Sequence, residues 1–504
     1  MVDDKLMDNP DELPPPGLLV AGLGGGSGKS VVAVGLAAAL SGRGRRVAVF
    51  KKGPDYIDAG WLARAAARPC YNLDPHLMST EVIRASFAEH SREMDLAVVE
   101  GNRGLFDGVD LEGSCSSAEL ARILALPVLL VVDCTKTTRT VAAQVLGCLH
   151  FEPGLNLVGV VLNRIGGQRH QRVAWQAVEH YTGLPVLGAV PRSRHDIFPQ
   201  RHLGVTPAAE HGEVDKAVSA LAAQAEKYLD LPRIEQAASV ASTSEQSKDL
   251  SLSPSLTVQG DRLNPHSPVP PEVAGREKTL DGEQNRDVIP RVRIGYLRDA
   301  AFQFYYPDNL EALEAAGAEL IALNALEDRE LPSLDALYIG GGFPETSAPA
   351  LAANAPFREA VRNAAADGLP IYAECGGLIY LGQALFLEGR EYPLAGVFPV
   401  RFGLSRKPQA HGYTELKVER ENPFYSPGTV IRGHEFRYST VEWVGESPAP
   451  LVCSVSRGVG FAWGRDGLST GRVLAIYTHV HALSTPEWAP AMVAAAARRH
   501  SGSS

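Results

Sequence analysis

The chain has 504 residues, too many for one ordinary hydrophobic core, so two or more domains are expected. Hydrophobic residues make up 45% and charged residues 21%, as in ordinary globular protein, and the net charge of −10 argues against nonspecific binding to nucleic acid. The six cysteines form no CxxC pair, the N-terminus lacks the apolar core of a signal peptide, and no run reaches membrane-span length, so neither a zinc ribbon nor a membrane partner is indicated and a reducing, cytoplasmic setting is expected.

Residues 1–16 are polar and proline-rich and are expected to form a disordered tail. A short apolar strand over 18–23 runs into Gly22-Leu23-Gly24-Gly25-Gly26-Ser27-Gly28-Lys29-Ser30, and 31–40 carries helical apolar content. Strand, glycine loop, Gly-Lys-Ser and helix together predict a phosphate-binding loop, whose backbone N–H groups cradle phosphate at a helix N-terminus. Gly24, Gly26, Ser27 and Gly28 form the expected cradle for ATP, Lys29 the cation for its outer phosphates, and Ser30 a magnesium ligand. The spacing is stretched: five residues, not four, separate Gly22 from Gly28.

Apolar strands are predicted at 47–50, 96–99, 128–132, 157–162 and 186–190, with helical patterns between them. That alternation implies a mainly parallel sheet with its ligands beyond the C-terminal strand ends. Asp55, Asp58, Glu100 and Asp107 all follow such ends. Asp55 and Glu100 are candidates to hold magnesium, and Asp55, Asp58 and Asp107 to act on the substrate during phosphoryl transfer. For each acid alone, a turn residue is the competing explanation. Asn163, after its own strand, is a candidate reader of the adenine base.

Near residue 230 the texture changes, and Ser, Pro, Gln and charge dominate up to 290. The expected division is a first domain over 17–232, a disordered linker over 233–290 and a second domain over 291–500. A flexible chain of about 55 residues spans about 40 Å root-mean-square and does not fix how its flanks dock. Deleting residues 242–281 is therefore expected to leave activity largely intact, as a turnover assay on the shortened chain would show; a collapse with both domains folded would give the linker a part in docking.

In the second domain, strands are predicted at 292–297, 319–323, 336–339 and 370–375, with helices at 307–316 and 350–366. After 392 strands are short and turns frequent, until 473–477 leads to Thr478-His479-Val480-His481 and a last helix. The apolar run Pro370-Ile371-Tyr372-Ala373-Glu374 stops at Cys375-Gly376-Gly377 before a helical pattern. A cysteine at such an elbow is pushed outward to a helix N-terminus, where the dipole favours negative charge. Gly376 and the Gly341-Gly342 pair can then offer N–H groups to an oxyanion. His479, 104 residues after Cys375, is the candidate base, with His481 competing because side chains two apart on a strand share a face. The competing explanation is a buried core cysteine and a surface histidine.

Glu374-Cys375-Gly376-Gly377, Gly340-Gly341-Gly342-Phe343-Pro344-Glu345 and Tyr477-Thr478-His479 resemble class I glutamine amidotransferase domains of the cobyric-acid type. That branch similarly lacks the glutamate two residues after the catalytic histidine, a place taken here by His481, and works with a Cys-His dyad. The front half resembles dethiobiotin-synthetase-like ATP-binding domains. Gly53-Pro54-Asp55-Tyr56-Ile57-Asp58, Glu100-Gly101, Phe106-Asp107-Gly108, Asp299-Ala300-Ala301-Phe302 and Gly433-His434-Glu435-Phe436 are together similar to the cobyrinate a,c-diamide synthase family. The departures are Lys51-Lys52 where one lysine is usual, Ala59 after Ile57-Asp58 where proline is usual, and Arg437 where a second histidine is common.

The resemblance implies two three-layer α/β domains: an N-terminal P-loop NTPase-like parallel sheet and a C-terminal class I glutamine amidotransferase-like domain. It implies a ligase that uses ATP with Mg2+ and glutamine to amidate the a and c carboxylates of cobyrinate through an acyl phosphate. Cys375 and His479 would release the ammonia, and an internal passage would carry it. The partners are then small molecules, namely a tetrapyrrole polycarboxylate, glutamine and ATP, with a homodimer left open. The departures admit a related substrate, sirohaem or nickel-sirohydrochlorin. Two rivals remain: a ParA/MinD-like switch ATPase, which the acidic balance and Cys375 disfavour, and a chain whose amidotransferase domain only binds.

Overall fold

The computed structural model describes residues 16–193, 200–201, 204–205, 212–240, 291–445 and 449–502. The expected tail before Pro16 and the linker over 241–290 lie outside the described residues.

The first domain is built on a seven-stranded sheet whose strands all run parallel. Gly17–Gly22, which carries the glycine loop, lies in the middle between Leu96–Glu100 and Val128–Asp133. Val47–Lys52 and Cys70–Leu73 complete one side, Leu157–Ile165 and Val186–Pro191 the other. Alternate strand residues enter different cores. Leu18 and Val20 pack with the helix Lys29–Gly42 on one face, while Leu19 and Ala21 pack with Leu120, Val141 and Val178 on the other. Burial on both faces makes the three layers and explains the continuous apolar strands. The helix Leu231–Val240 crosses the boundary expected at 232. Ile234 and Ala238 are buried in the first core, so polar composition there concealed an amphipathic helix that packs on this sheet.

The second domain has a ten-stranded mixed sheet. Ala318–Leu323, Val292–Leu297, Ala336–Ile339, Ile371–Glu374 and Val473–Ile476 run parallel in that order. Antiparallel pairing then continues through Arg465–Thr470, Leu451–Arg457, Ala410–Val418 and Val430–Arg437 to His479–Val480. Ile476 and His479 are three residues apart in sequence, yet five strand positions apart in the sheet. A flat sheet would separate them by about 24 Å, whereas three residues reach only about 10 Å. The sheet therefore curls back on itself and sets His479 opposite His434.

The helix expected at 350–366 is two, Ala348–Ala353 and Ala355–Ala366. Pro356 has no N–H to continue the first, and the Asn354 side chain donates to the carbonyls of Ala325 and Asp328 at the break. The two domains meet directly: the Tyr71 hydroxyl donates to Glu311 at 2.7 Å, and that of Tyr413 to Asp74 at 3.0 Å. Among the described residues no helix is long and apolar enough to cross a membrane.

Candidate active site

The glycine loop closes on the start of the helix Lys29–Gly42, with Gly28 at its N-cap in a left-handed conformation, φ 93°. Side chains on Gly24, Gly25 or Gly26 would meet nothing within 4 Å, so the space over these amides is open. Lys29 is the first helical residue, its Nζ 3.5 Å from the Gly24 carbonyl. Burial, then the nearby Lys51 ammonium, holds its pKa below the usual lysine range. Asn163 braces this loop: its Nδ2 donates to the Ser27 carbonyl at 2.9 Å and its Oδ1 accepts from Arg164 N.

Strand ends bring the acids together around an unexpected cation. Lys51 is 1% exposed, with Nζ 2.6 Å from Asp58 and 3.2 Å from Glu100. Burial alone would lower its pKa, but the Asp58 and Glu100 carboxylates outweigh that and raise it. The signal available in the sequence was a lysine pair, Lys51-Lys52, ending an apolar strand. Glu100 accepts from the Ser30 hydroxyl at 2.7 Å, and burial, followed by the Asp58 charge, pushes its carboxyl up to about 7. Asp55 caps the helix Tyr56–Ala66, its Oδ1 accepting from Ile57 N and Asp58 N. Asp107 Oδ2 accepts from Gly104 N. Both acids thus have a local structural bond and also line a cavity.

The donor set suits magnesium. Ser30 Oγ and Glu100 are hard oxygen ligands, and Glu100 Oε2 is buried without a hydrogen-bond partner. No three His, Cys, Asp or Glu side chains form a metal cage among the described residues. Magnesium beside nucleotide phosphates needs only one or two protein carboxylates, and Ser30, Glu100 and Asp55 offer that.

In the second domain Cys375 stands at the expected elbow, between the strand Ile371–Glu374 and the five-residue helix Gly376–Tyr380. Its φ of 45° is strained for a residue with a Cβ, and Cys375 N donates to the Ile476 carbonyl at 2.8 Å. A Cβ on Gly376 would lie 2.9 Å from Gly342 N, so these two backbone segments touch. Gly341 instead packs against the His479 ring, and any side chain there would collide with it. Burial would lower the His479 pKa, but the Cys375 sulfur and then Glu374 outweigh it and hold the imidazole up to about 9.

His481 does not compete. The strand His479–Val480 ends before it, its Nδ1 accepts from Leu483 N, and its Nε2 faces Asp308 at 3.4 Å. The face-sharing expectation fails because two residues of strand are too few to hold the alternation. We expect His479→Ala to cost about 10²–10⁴-fold in glutaminase rate and to suppress glutamyl thioester formation, and His481→Ala to cost much less. Rapid-quench trapping of the thioester checks this, and a block confined to His481→Ala would reverse the assignment.

One aromatic side chain lies between the two centres. Tyr56, next to Asp55 in sequence, stacks on Phe304 at 5.0 Å and Tyr306 at 4.4 Å, and meets the His479 ring edge-on at 5.3 Å. A single cavity of about 560 Å³ is lined by Asp55, Tyr56 and Asp107 from the first domain and by Cys375, His434 and His479 from the second. Lys52, Arg103 and Arg457 add positive charge to its wall, while burial and then Arg103 hold the His411 pKa below its usual value. Arg437 is spent on structure: it donates to the carbonyls of Ser439 and Gly460 and lies over the Tyr477 ring at 4.0 Å.

Two family models match this chain. Residues 18–204 match the CobQ/CobB/MinD/ParA nucleotide binding domain, and residues 293–487 the CobB/CobQ-like glutamine amidotransferase domain. A protein of Magnetococcus marinus named cobyrinate a,c-diamide synthase is 41% identical over 94% of this chain and 96% of its own length. Proteins of the same name from Syntrophotalea carbinolica and Salmonella typhimurium are 39% and 36% identical, each over 95% of this chain and 98% of their own length.

Proposed function

The chain belongs to the cobyrinate a,c-diamide synthase family of glutamine-amidotransferase-type ligases, and from that membership we propose that it amidates the a and c side-chain carboxylates of cobyrinate in cobalamin biosynthesis. The observation that carries this reading is the one cavity touched by Asp55 and Asp107 on one side and by Cys375 and His479 on the other. A carboxylate does not react usefully with ammonia at neutral pH, because oxide is a poor leaving group. Transfer of the ATP γ-phosphoryl group to the carboxylate turns that oxygen into part of a phosphate, which ammonia then expels.

In this mechanism the loop amides and Lys29 hold the outer phosphates, and Lys51 keeps Asp58 and Glu100 in position. Ser30 and Glu100, with Asp55 alongside, would hold a magnesium ion, which would supply charge neutralisation at the phosphoryl group. Asp58 and Asp107 take part on the substrate side. Cys375 attacks the glutamine side-chain amide, the Gly342 and Gly376 amides with Gly341 beside them receive the oxyanion, and His479 gives the leaving ammonia its proton. Water hydrolyses the thioester. Ammonia crosses the shared cavity past Tyr56 to the acyl phosphate. Lys52, Arg103 and Arg457 offer charge to a polycarboxylate.

The test is consumption of ATP and glutamine across a panel of tetrapyrrole acids. Two ADP and two amides per cobyrinate are expected, with sirohaem and nickel-sirohydrochlorin much poorer. Faster amidation of either would transfer the reading to that substrate, and ATP turnover indifferent to glutamine and to every acid would favour a switch ATPase or a binding-only second domain.

A further inference from the structure

The histidine of a Cys-His pair needs something to fix its ring and tautomer, and the place where a glutamate would follow His479 two residues later holds His481, which is engaged with Asp308. A carboxylate nevertheless reaches the ring from elsewhere. Glu374 precedes the nucleophile on the strand Ile371–Glu374, so its side chain leaves the backbone on the opposite course from its neighbours. Its Oε2 lies 3.7 Å from His479 Nδ1, and the two residues are 0% and 3% exposed. Neither facing atom has any hydrogen-bond partner, and each is fully buried. Two unpartnered buried polar atoms aimed at one another are costly unless they pair, and catalytic hydrogen bonds that are long in the unliganded enzyme commonly shorten when substrate binds.

We infer that Glu374 is the positioning residue for His479: its carboxylate accepts the Nδ1 proton, fixes the ring with Nε2 towards Cys375, and stabilises the imidazolium. Glu374 thereby does from the residue before the nucleophile what a carboxylate after the histidine would do. The rest of the surroundings is consistent with that single role. Glu374 Oε1 accepts from Val480 N at 3.4 Å, which holds the carboxylate against the histidine's own strand. Burial pushes the Glu374 carboxyl up, and the His479 imidazole is the main influence opposing it. The other titratable groups facing His479 are Cys375, His434, stacked at 4.9 Å, and Tyr56; burial keeps the His434 pKa well below its usual value, so it brings no competing cation. Tyr338 is a further neighbour of the Glu374 side chain.

This inference rests on Cys375 and His479 being the glutaminase pair, and the test keeps the two apart. Glu374→Gln in the full chain removes the charge and keeps the shape. Expected are a loss of about 10²-fold in glutaminase kcat with glutamine KM nearly unchanged, and a fall of about tenfold in the rate at which iodoacetamide alkylates Cys375 at pH 7. Ammonium-dependent synthesis stays at the wild-type rate. Glutaminase and alkylation rates both at wild-type levels in Glu374→Gln would overturn the inference, as would equal loss with glutamine and with ammonium, which marks a merely structural carboxylate. If Glu374→Gln does not fold, Glu374→Asp decides: withdrawing the carboxylate by one methylene should still cost at least about tenfold in glutaminase kcat, and an unchanged rate refutes the role. Survival of glutaminase activity in Cys375→Ala would instead refute the underlying assignment of the pair.

Discussion

Cys375→Ala abolishes glutamine-dependent amidation, by at least about 10³-fold, and leaves synthesis from concentrated free ammonium close to wild type. The expectation follows from where the two kinds of chemistry sit. The sulfur belongs to the elbow of the second domain, whereas Lys29, Lys51, Asp58 and Glu100 belong to strand and helix ends of the first. The Cys375 sulfur is paired with His479 rather than with that phosphoryl-transfer group, so its loss removes the ammonia source. Cys375 is 6% exposed and its Cβ stays in the alanine variant, so the elbow keeps its packing. The measurement is amide formation with each nitrogen source under the same ATP and substrate concentrations. Equal loss with both would end the division of labour between the domains.

Lys29→Ala and Glu100→Ala remove synthesis with either nitrogen source, by about 10²–10³-fold or more, because each takes away charge that faces the transferring phosphoryl group. The two variants are not equally clean. Lys29 loses a 3.5 Å contact to the Gly24 carbonyl and its attraction to Glu100, Asp58 and Asp55, but its removal also relieves the burial of its own charge and its repulsion from Lys51. Removing Glu100 strips a partner from both Ser30 and the buried Lys51, and an uncompensated buried ammonium destabilises the fold as well as the chemistry. Lys29→Ala should therefore melt near the wild-type temperature, and Glu100→Ala several degrees lower. Ammonium-dependent synthesis near wild type in Lys29→Ala would refute the nucleotide assignment, whatever the melting curves show.

How far each residue could be placed from sequence depends on how local its cause is. The glycine loop, the strands around it and the Cys375 elbow were readable because each is a signal within about ten residues: an apolar run, glycines where the backbone must turn, and a helical period. The acids were readable as a group because parallel sheets put their strand ends on one edge. Helix Leu231–Val240 was not, since its short apolar stripe is outweighed in composition by the polar stretch that follows. The two helices meeting at Asn354 merged in prediction because one apolar period runs through both.

By itself, then, the sequence determined that this is a two-domain α/β chain with a phosphate loop in front, a cysteine elbow behind and a histidine near the end. Tertiary structure alone decided which side chains face each other across those landmarks. Sheet order put Val47–Lys52 beside Leu96–Glu100, which brought Lys51 between Asp58 and Glu100. Curling of the ten-stranded sheet returned His479 to the edge strand, against Glu374 and His434, and turned His481 towards Asp308. Docking of the domains laid Tyr56 on Phe304 and next to His479. The physical reason is common to all three: backbone periodicity fixes which way a side chain leaves its own element, but the distance between residues hundreds of positions apart is set by strand order, sheet curvature and domain packing, which are decided by the summed burial of the whole chain.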